Sequence, residues 1–198
     1  MKFYFARHGQ TDWNTLRKVQ GTTDIPLNEN GIRQAYQLCD YLKENSISFT
    51  KIYSSYQTRA VQTAEIAAEQ FNTGYETVKG LEEMNLGLFE GHTWDEILSM
   101  YAEEFELWQA DRRYSTSPGG ESYQMVLERV FQVLDYILEQ NDAASEGNVL
   151  IITHGAVIMT LLAVLRDVPF EQALTIRVDN AVPVVLNVDD LEEIRKKI

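Results

Sequence analysis

Cysteine is almost missing. Cys39 is the only one in 198 residues, which excludes an intramolecular disulfide and a cysteine-based zinc site and makes a reducing compartment the simplest fit. Ile32, Ala35, Leu38 and Leu42 recur around it at helical spacing, so Cys39 reads as a buried helix thiol. Long apolar runs are missing too. No stretch is long enough to cross a bilayer, and the opening run, Lys2 to Ala6, has no signal-peptide core, so the expectation is a soluble, cytoplasmic protein. Basic residues are scarce: seventeen Lys plus Arg against thirty Asp plus Glu give a formal net charge of -13. Such a surface repels polyanions, which argues against nucleic acid and anionic membrane as partners. Repeats, low-complexity tracts and linkers are also absent, and the length fits one domain over residues 1–198.

What is present is an alternation. Lys2 to Ala6, Lys51 to Ser54 and Asn148 to Thr153 are short apolar runs of the kind buried on both faces of a parallel sheet. Helical patterns follow them: Glu29 to Lys43 capped by Asn28, Thr58 to Phe71, Ser122 to Gln140, and Gly155 to Leu165. The pattern predicts an α/β fold, a three-layer α/β/α sandwich with a mostly parallel mixed sheet. Val182 to Val188 contains Pro183, which cannot donate to a ladder and belongs at an edge. Asp189 to Ile198 reads as a charged tail, helical or frayed. Between about residues 81 and 120 the pattern shifts to Gly, aromatic and acidic residues, with a capping box at Thr93 and Glu96. This stretch is expected to be an insertion overhanging the sheet.

In such sheets ligands bind beyond the carboxyl ends of the strands. Three strand ends deliver polar groups there: Arg7-His8-Gly9, then Ser54, Ser55 and Arg59, then His154-Gly155. Two histidines and two arginines in an acidic protein make a cationic pocket suited to a tetrahedral dianion. Phosphoryl transfer without a metal needs a nucleophile, cations for the equatorial oxygens and an acid for the leaving group. His8 is a suitable nucleophile near pH 7, Arg7 and Arg59 offer donor forks, Asn14 offers an amide, and Gly9 is expected to let the backbone pass close to the phosphate. Glu82, Glu83 and Glu90 are all candidates for the acid, and composition does not choose among them.

Several motifs then stand in one order: RHGQTDWN at Arg7 to Asn14, QGTTDIPLNENG at Gln20 to Gly31, SSYQTRAVQTA at Ser54 to Ala64, LEEMNLGLFEG at Leu81 to Gly91, PGGES at Pro118 to Ser122 and THG at Thr153 to Gly155. Together they resemble the histidine phosphatases, or phosphoglycerate mutase-like superfamily, over nearly the whole chain. The resemblance is nearest in kind to small bacterial broad-specificity and α-ribazole phosphatase-like enzymes. It implies that His8 is phosphorylated, that Arg7, Arg59 and His154 hold the phosphoryl group, and that Asn14, Gln20 and Gly21 touch phosphate or substrate. Gly155 falls within the same THG motif. The position matching the family acid is Glu83, with Glu82 its solvated neighbour.

The expected activity is therefore hydrolysis of a small phosphomonoester, with no metal and no organic cofactor. A phosphoglycerate mutase is the alternative; against it, Glu83 to Ser122 is short and mostly acidic, where family mutases carry a longer basic segment. A phospholigand-binding module without turnover is a third reading, disfavoured because nucleophile, acid and phosphate-binding groups are all present. His92, in a loop before a capped helix, is read as non-catalytic. Met84, Phe89, Trp94, Tyr101, Phe105, Trp108 and Tyr114 fit a satellite core, with a substrate-lining role for some. Arg112 and Arg113 fit either a second anion contact or a solvated pair. The chain is expected to be a monomer or a homodimer.

Overall fold

The computed structural model describes residues 1–141 and 147–198. Strand β1 (Lys2–Arg7) leads through a short helix α1 (Asp12–Thr15) to α2 (Glu29–Glu44), then β2 (Lys51–Ser54), α3 (Thr58–Phe71) and β3 (Tyr75–Thr77). A 3₁₀ turn (Gly87–Phe89), α4 (Trp94–Met100) and α5 (Ala102–Ala110) precede α6 (Tyr123–Gln140), β4 (Asn148–Thr153) and α7 (Gly155–Leu165). A second 3₁₀ turn (Phe170–Thr175), β5 (Pro183–Asn187) and α8 (Val188–Lys197) complete the chain. Among the described residues no helix is long and apolar enough to cross a membrane.

The five-stranded sheet has the order β3-β2-β4-β1-β5, parallel except for β5, which runs antiparallel to β1 along an edge. Pro183 opens that edge strand, where its missing N–H costs least. Side chains of the central strands alternate between two helical layers. Phe3, Phe5, Tyr53, Val149 and Ile151 pack with α6, α7 and α8. Tyr4, Ala6, Ile52, Leu150 and Ile152 pack with α2 and α3. This is the expected three-layer α/β arrangement.

Caps set the helix starts. Asn28 accepts from the Gly31 N–H at 2.8 Å, Ser122 from that of Met125 at 3.3 Å, and Thr93 and Glu96 form the reciprocal box. The charged tail is helical because Asn187 and Asp190 cap it in the same way. Sequence periodicity did not reveal α1, β3 or α5, for separate reasons. The first is a single turn and the second three residues long. The third presents only Trp108 as a fully buried residue, so it carries little periodic signal.

The aromatic stretch does not form a satellite. Leu81, Met84, Phe89, Ile97 and Trp108 are all at most 1% exposed and join the main core of the α6 and α7 layer, with Trp94, Tyr101 and Phe105 packed against it. Edge and tilted contacts of 5.8 to 6.4 Å run from Phe89 to Tyr101, Phe105 and Trp108, and Phe105 meets Trp108 at 5.7 Å. Tyr114 stands apart, exposed.

Gly9 serves packing with α2: a Cβ there would collide with the Gly31 carbonyl, and one on Gly31 with the backbone of Gln10. The close approach that excludes a side chain at Gly9 is to the first turn of α2. Gly31→Ala is therefore expected to cost about 1–3 kcal/mol. Gly74→Ala, where a Cβ meets nothing within 4 Å, should stay within about 0.5 kcal/mol. Urea unfolding midpoints of the two variants check this difference.

Candidate active site

Register brings the two histidines together. β1 and β4 pair in parallel with Arg7 opposite Thr153, so the next residue on each strand is a histidine at the same end of the sheet. The His8 N–H donates to the Thr153 carbonyl at 3.0 Å, and the two rings lie 5.1 Å apart, centroid to centroid. Asn180, on the approach to β5, donates from Nδ2 to the His8 carbonyl at 2.7 Å.

His8 Nδ1 lies 2.7 Å from the Gly9 carbonyl oxygen. A carbonyl only accepts, so Nδ1 carries the proton and Nε2 keeps its lone pair. Burial, then the charges of Arg7 and Arg59, hold the His8 pKa well below the usual imidazole value, so the ring is neutral. His154 is likewise pushed well down, first by burial and then by Arg59 and His8. Both of its ring nitrogens are buried without a partner among the described residues.

The two arginines are held by carbonyls. Arg7 donates from Nη1 to the Val178 carbonyl at 2.9 Å, and Arg59 from Nη1 to Thr23 at 2.8 Å and from Nη2 to Gly21 at 2.7 Å. Their Nε atoms remain buried and without a partner among the described residues. Arg59 is the second residue of α3, where a cation opposes the helix dipole, and these carbonyls offset that. Burial lowers the pKa of both guanidiniums, and Glu83 is the largest influence in the opposite direction. Ser54 and Ser55 deliver no group to the pocket wall: both are fully buried and brace the turn before Arg59, the Ser55 Oγ accepting from the Gln57 N–H.

The three candidate carboxyls separate cleanly. Glu82 Oε2 accepts from the Gly80 N–H at 2.6 Å and lines a different, smaller depression. Glu90 accepts from the backbone N–H and hydroxyl of both Thr22 and Thr23 and from the Leu86 N–H, so it is committed to fixing the loop whose carbonyls hold Arg59. Glu83 faces the arginines, its Oε1 accepting at 3.0 Å from Met84 and from Ala156 in the first turn of α7. Gln57 joins the parts: it donates to the Gly21 carbonyl at 3.1 Å and accepts from the Glu83 N–H at 2.7 Å.

A cavity of about 460 Å³ opens over this end of the sheet, with Arg7, Asn14, Gln20, Gly21, Glu83 and Gly155 on its wall. Its other side is apolar and includes Met84, Trp94, Trp108, Tyr123 and Met159, with Arg17 and Lys18 also lining it. His8, Arg59 and His154 are not on that wall and are at most 1% exposed. Gln20 accepts from the Thr11 hydroxyl at 2.8 Å, and Asn14 Oδ1 from the Thr11 N–H at 3.0 Å. Gly21 sits at φ +49°, where a side chain would meet Glu90. His92 packs edge-on against Tyr101, 5.7 Å away, outside the cavity wall. Sequence reasoning missed Gln57, Tyr123 and Asn180. Gln57 lies inside a recognised motif, whereas nothing local distinguishes Asn180.

A family model described as histidine phosphatase superfamily (branch 1) matches residues 3–195. The chain is 32% identical over 169 residues to a 6-phosphofructo-2-kinase/fructose-2,6-bisphosphatase of Caenorhabditis elegans, covering 85% of this chain and 35% of that protein. It thus spans about a third of the length of the curated relatives it matches. Among solved structures, YhfR of Bacillus stearothermophilus is similar with a TM-score of 0.81 and 31% identity, covering 95% of this chain and 91% of that one. A mycobacterial glucosyl-3-phosphoglycerate phosphatase in complex with VO3 gives a TM-score of 0.81 at 26% identity, covering 94% and 90%.

An unfolded chain protonates its histidines as pH falls through about 6.5, while buried His8 and His154 resist. Their contribution to stability is therefore full above that value and lost as the pH falls from there toward their lower folded pKa values. Each is expected to contribute at most about 1.4 kcal/mol per pH unit to the slope. Urea unfolding between pH 7.5 and 5.5 should show a flatter dependence in His154→Gln than in the parent; an identical slope would contradict the assignment.

Proposed function

The chain belongs to the histidine phosphatase superfamily, with its phosphoglycerate mutase-like fold, and from that footing we propose that it hydrolyses a small phosphomonoester through a phosphohistidine on His8. The observation that carries this reading is the set of unpartnered buried nitrogens on Arg7, Arg59 and His154 gathered round a neutral imidazole. A tetrahedral oxyanion supplies the acceptors that those donors lack.

In this reading His8 Nε2 attacks phosphorus while the Gly9 carbonyl stabilises the charge that develops on the ring through Nδ1–H. The bond from phosphorus to the ester oxygen breaks, and Glu83 gives that oxygen a proton. Water then attacks the phosphohistidine, passing its proton to Glu83; the phosphorus–nitrogen bond breaks and inorganic phosphate leaves. Arg7, Arg59 and His154 bind the equatorial oxygens, and their contacts strengthen as charge spreads in the transition state. Asn14, Gln20, Gly21 and Gly155 line the approach to the phosphate. The relatives bearing phosphatase names act on small phosphorylated compounds, and a cavity of about 460 Å³ suits a ligand of that size. The acidic surface suits such a ligand better than a polyanionic polymer.

Hydrolysis of aryl phosphates in the presence of a chelator tests this. His8→Ala should lose at least about a thousandfold in kcat, and acid-quenched wild type should carry a phosphoryl group that the variant lacks. Glu83→Gln should slow esters with poor leaving groups by about a hundredfold to ten-thousandfold, yet spare activated aryl esters in the first step. Full activity in His8→Ala would overturn the proposal.

A further inference from the structure

β1 ends at Arg7, so the peptide that joins His8 to Gly9 lies just beyond the strand. Side chains from two distant parts of the chain meet both of its polar groups. Its carbonyl accepts from Asn180 Nδ2 at 2.7 Å, and its N–H donates to Thr63 Oγ1 at 3.1 Å. Thr63 stands in the second turn of α3 and Asn180 just before β5.

This peptide governs where the imidazole points. His8 Nδ1 is held by the Gly9 carbonyl, one bond pair further along the chain, so a rotation of the His8–Gly9 peptide would carry that carbonyl away from the ring. Packing against Gly31 requires glycine at position 9, and a glycine offers the least intrinsic resistance to such a rotation. The two side-chain hydrogen bonds supply the resistance that the residue itself lacks.

Both side chains are fixed in turn. Thr63 is fully buried, and its hydroxyl donates to the Arg59 carbonyl at 2.8 Å, which leaves its lone pairs for the Gly9 N–H and ties the peptide to the turn that carries Arg59. Asn180 is delivered by strained backbone. Ala181, which follows it, is buried at φ +54°, a left-handed conformation that residues other than glycine seldom adopt, and its N–H donates to the Arg7 carbonyl at 2.8 Å. Strain of this kind persists where the surroundings over-determine it, and it gathers at functional sites.

We propose that Thr63 and Asn180 are positioning residues for phosphoryl transfer: by clamping the His8–Gly9 peptide they keep the Gly9 carbonyl on Nδ1 and so aim Nε2 of His8 at phosphorus. The inference rests on the phosphatase reading and deepens it, since neither residue lies on the cavity wall. A misplacement of about 1 Å costs about a hundredfold in such a reaction. A loosened peptide therefore slows formation of the phosphorus–nitrogen bond, and with it cleavage of the ester bond, while the arginines still bind the oxygens.

The test compares Thr63→Val and Asn180→Leu, which remove the hydrogen-bonding group at similar size, with Thr63→Ser, which keeps it. Single-turnover formation of the phosphohistidine from aryl phosphates should slow about tenfold to a hundredfold in the first two and recover most of its rate in Thr63→Ser. The loss should be of similar size for activated and poor leaving groups, unlike that of Glu83→Gln, and competitive inhibition by inorganic phosphate should change less than about threefold. Ring-nitrogen NMR should find His8 protonated at Nδ1 in wild type and Thr63→Ser, and divided between tautomers in Thr63→Val and Asn180→Leu. Should Thr63→Val not fold, Asn180→Leu carries the same test, because it alters a partly exposed side chain. Parent rates in the folded variants, a loss confined to poor leaving groups, lowered melting with unchanged rates, or an undivided Nδ1 tautomer in both variants would overturn the clamp. A wild type that turns over no phosphate ester would defeat the phosphatase reading alone, and the tautomers would still decide whether the peptide is clamped.

Discussion

Carbonyl oxygens, in place of carboxylates, take up the guanidinium N–H groups of Arg7 and Arg59, and much of the site depends on that choice. Thirty acidic residues are available in the chain, yet Val178, Gly21 and Thr23 hold the two arginines through their backbones. A carbonyl satisfies a donor without cancelling its charge, so the pocket keeps a positive field inside an acidic protein. That field, added to burial, is what keeps His8 and His154 neutral. It also explains why Glu90 is spent on the Thr22 and Thr23 loop: carbonyls orient a guanidinium only when their own backbone is fixed. Glu83, the acid that does approach the arginines, is tied instead to backbone N–H groups at the start of α7, which holds it beside the cations without a direct ion pair among the described residues.

Much of this was legible in the sequence, for physical reasons that differ by element. β2, β4, α3 and α7 have the bounds expected from hydrophobic runs and helical spacing because the strands and α7 are buried over most of their length and α3 buries one face, so the pattern is strong. Asn28 and Thr93 act as caps where their residue types promised, and Ser122, read as the first residue of its helix, is its cap. The convergence of Arg7, His8, Arg59 and His154 followed from placing three strand ends on one sheet edge. β3, α1 and α5 were hidden because they are short or bury little.

The contacts that choose among residues of one type were the illegible part. Glu82, Glu83 and Glu90 are alike in composition, and only tertiary hydrogen bonds separate them. Arg112 and Arg113 are adjacent and chemically identical, yet one turns into the core and the other to α8. The packing of Gly9 on the first turn of α2 was equally hidden, since a glycine announces a close approach without saying to what.

The pairing of Arg7 with Thr153 makes the sheet a ruler for the chemistry. A slip of one residue would move one histidine by about 3.3 Å along its strand and turn its side chain to the other face. The distance between the imidazoles is thus set by the stiffest part of the molecule, and the wall that meets the organic half of a ligand comes largely from residues 84 to 123 and 174 to 178. Those loops can be rewritten during evolution without disturbing that distance, so one reaction can be inherited intact while its clientele changes.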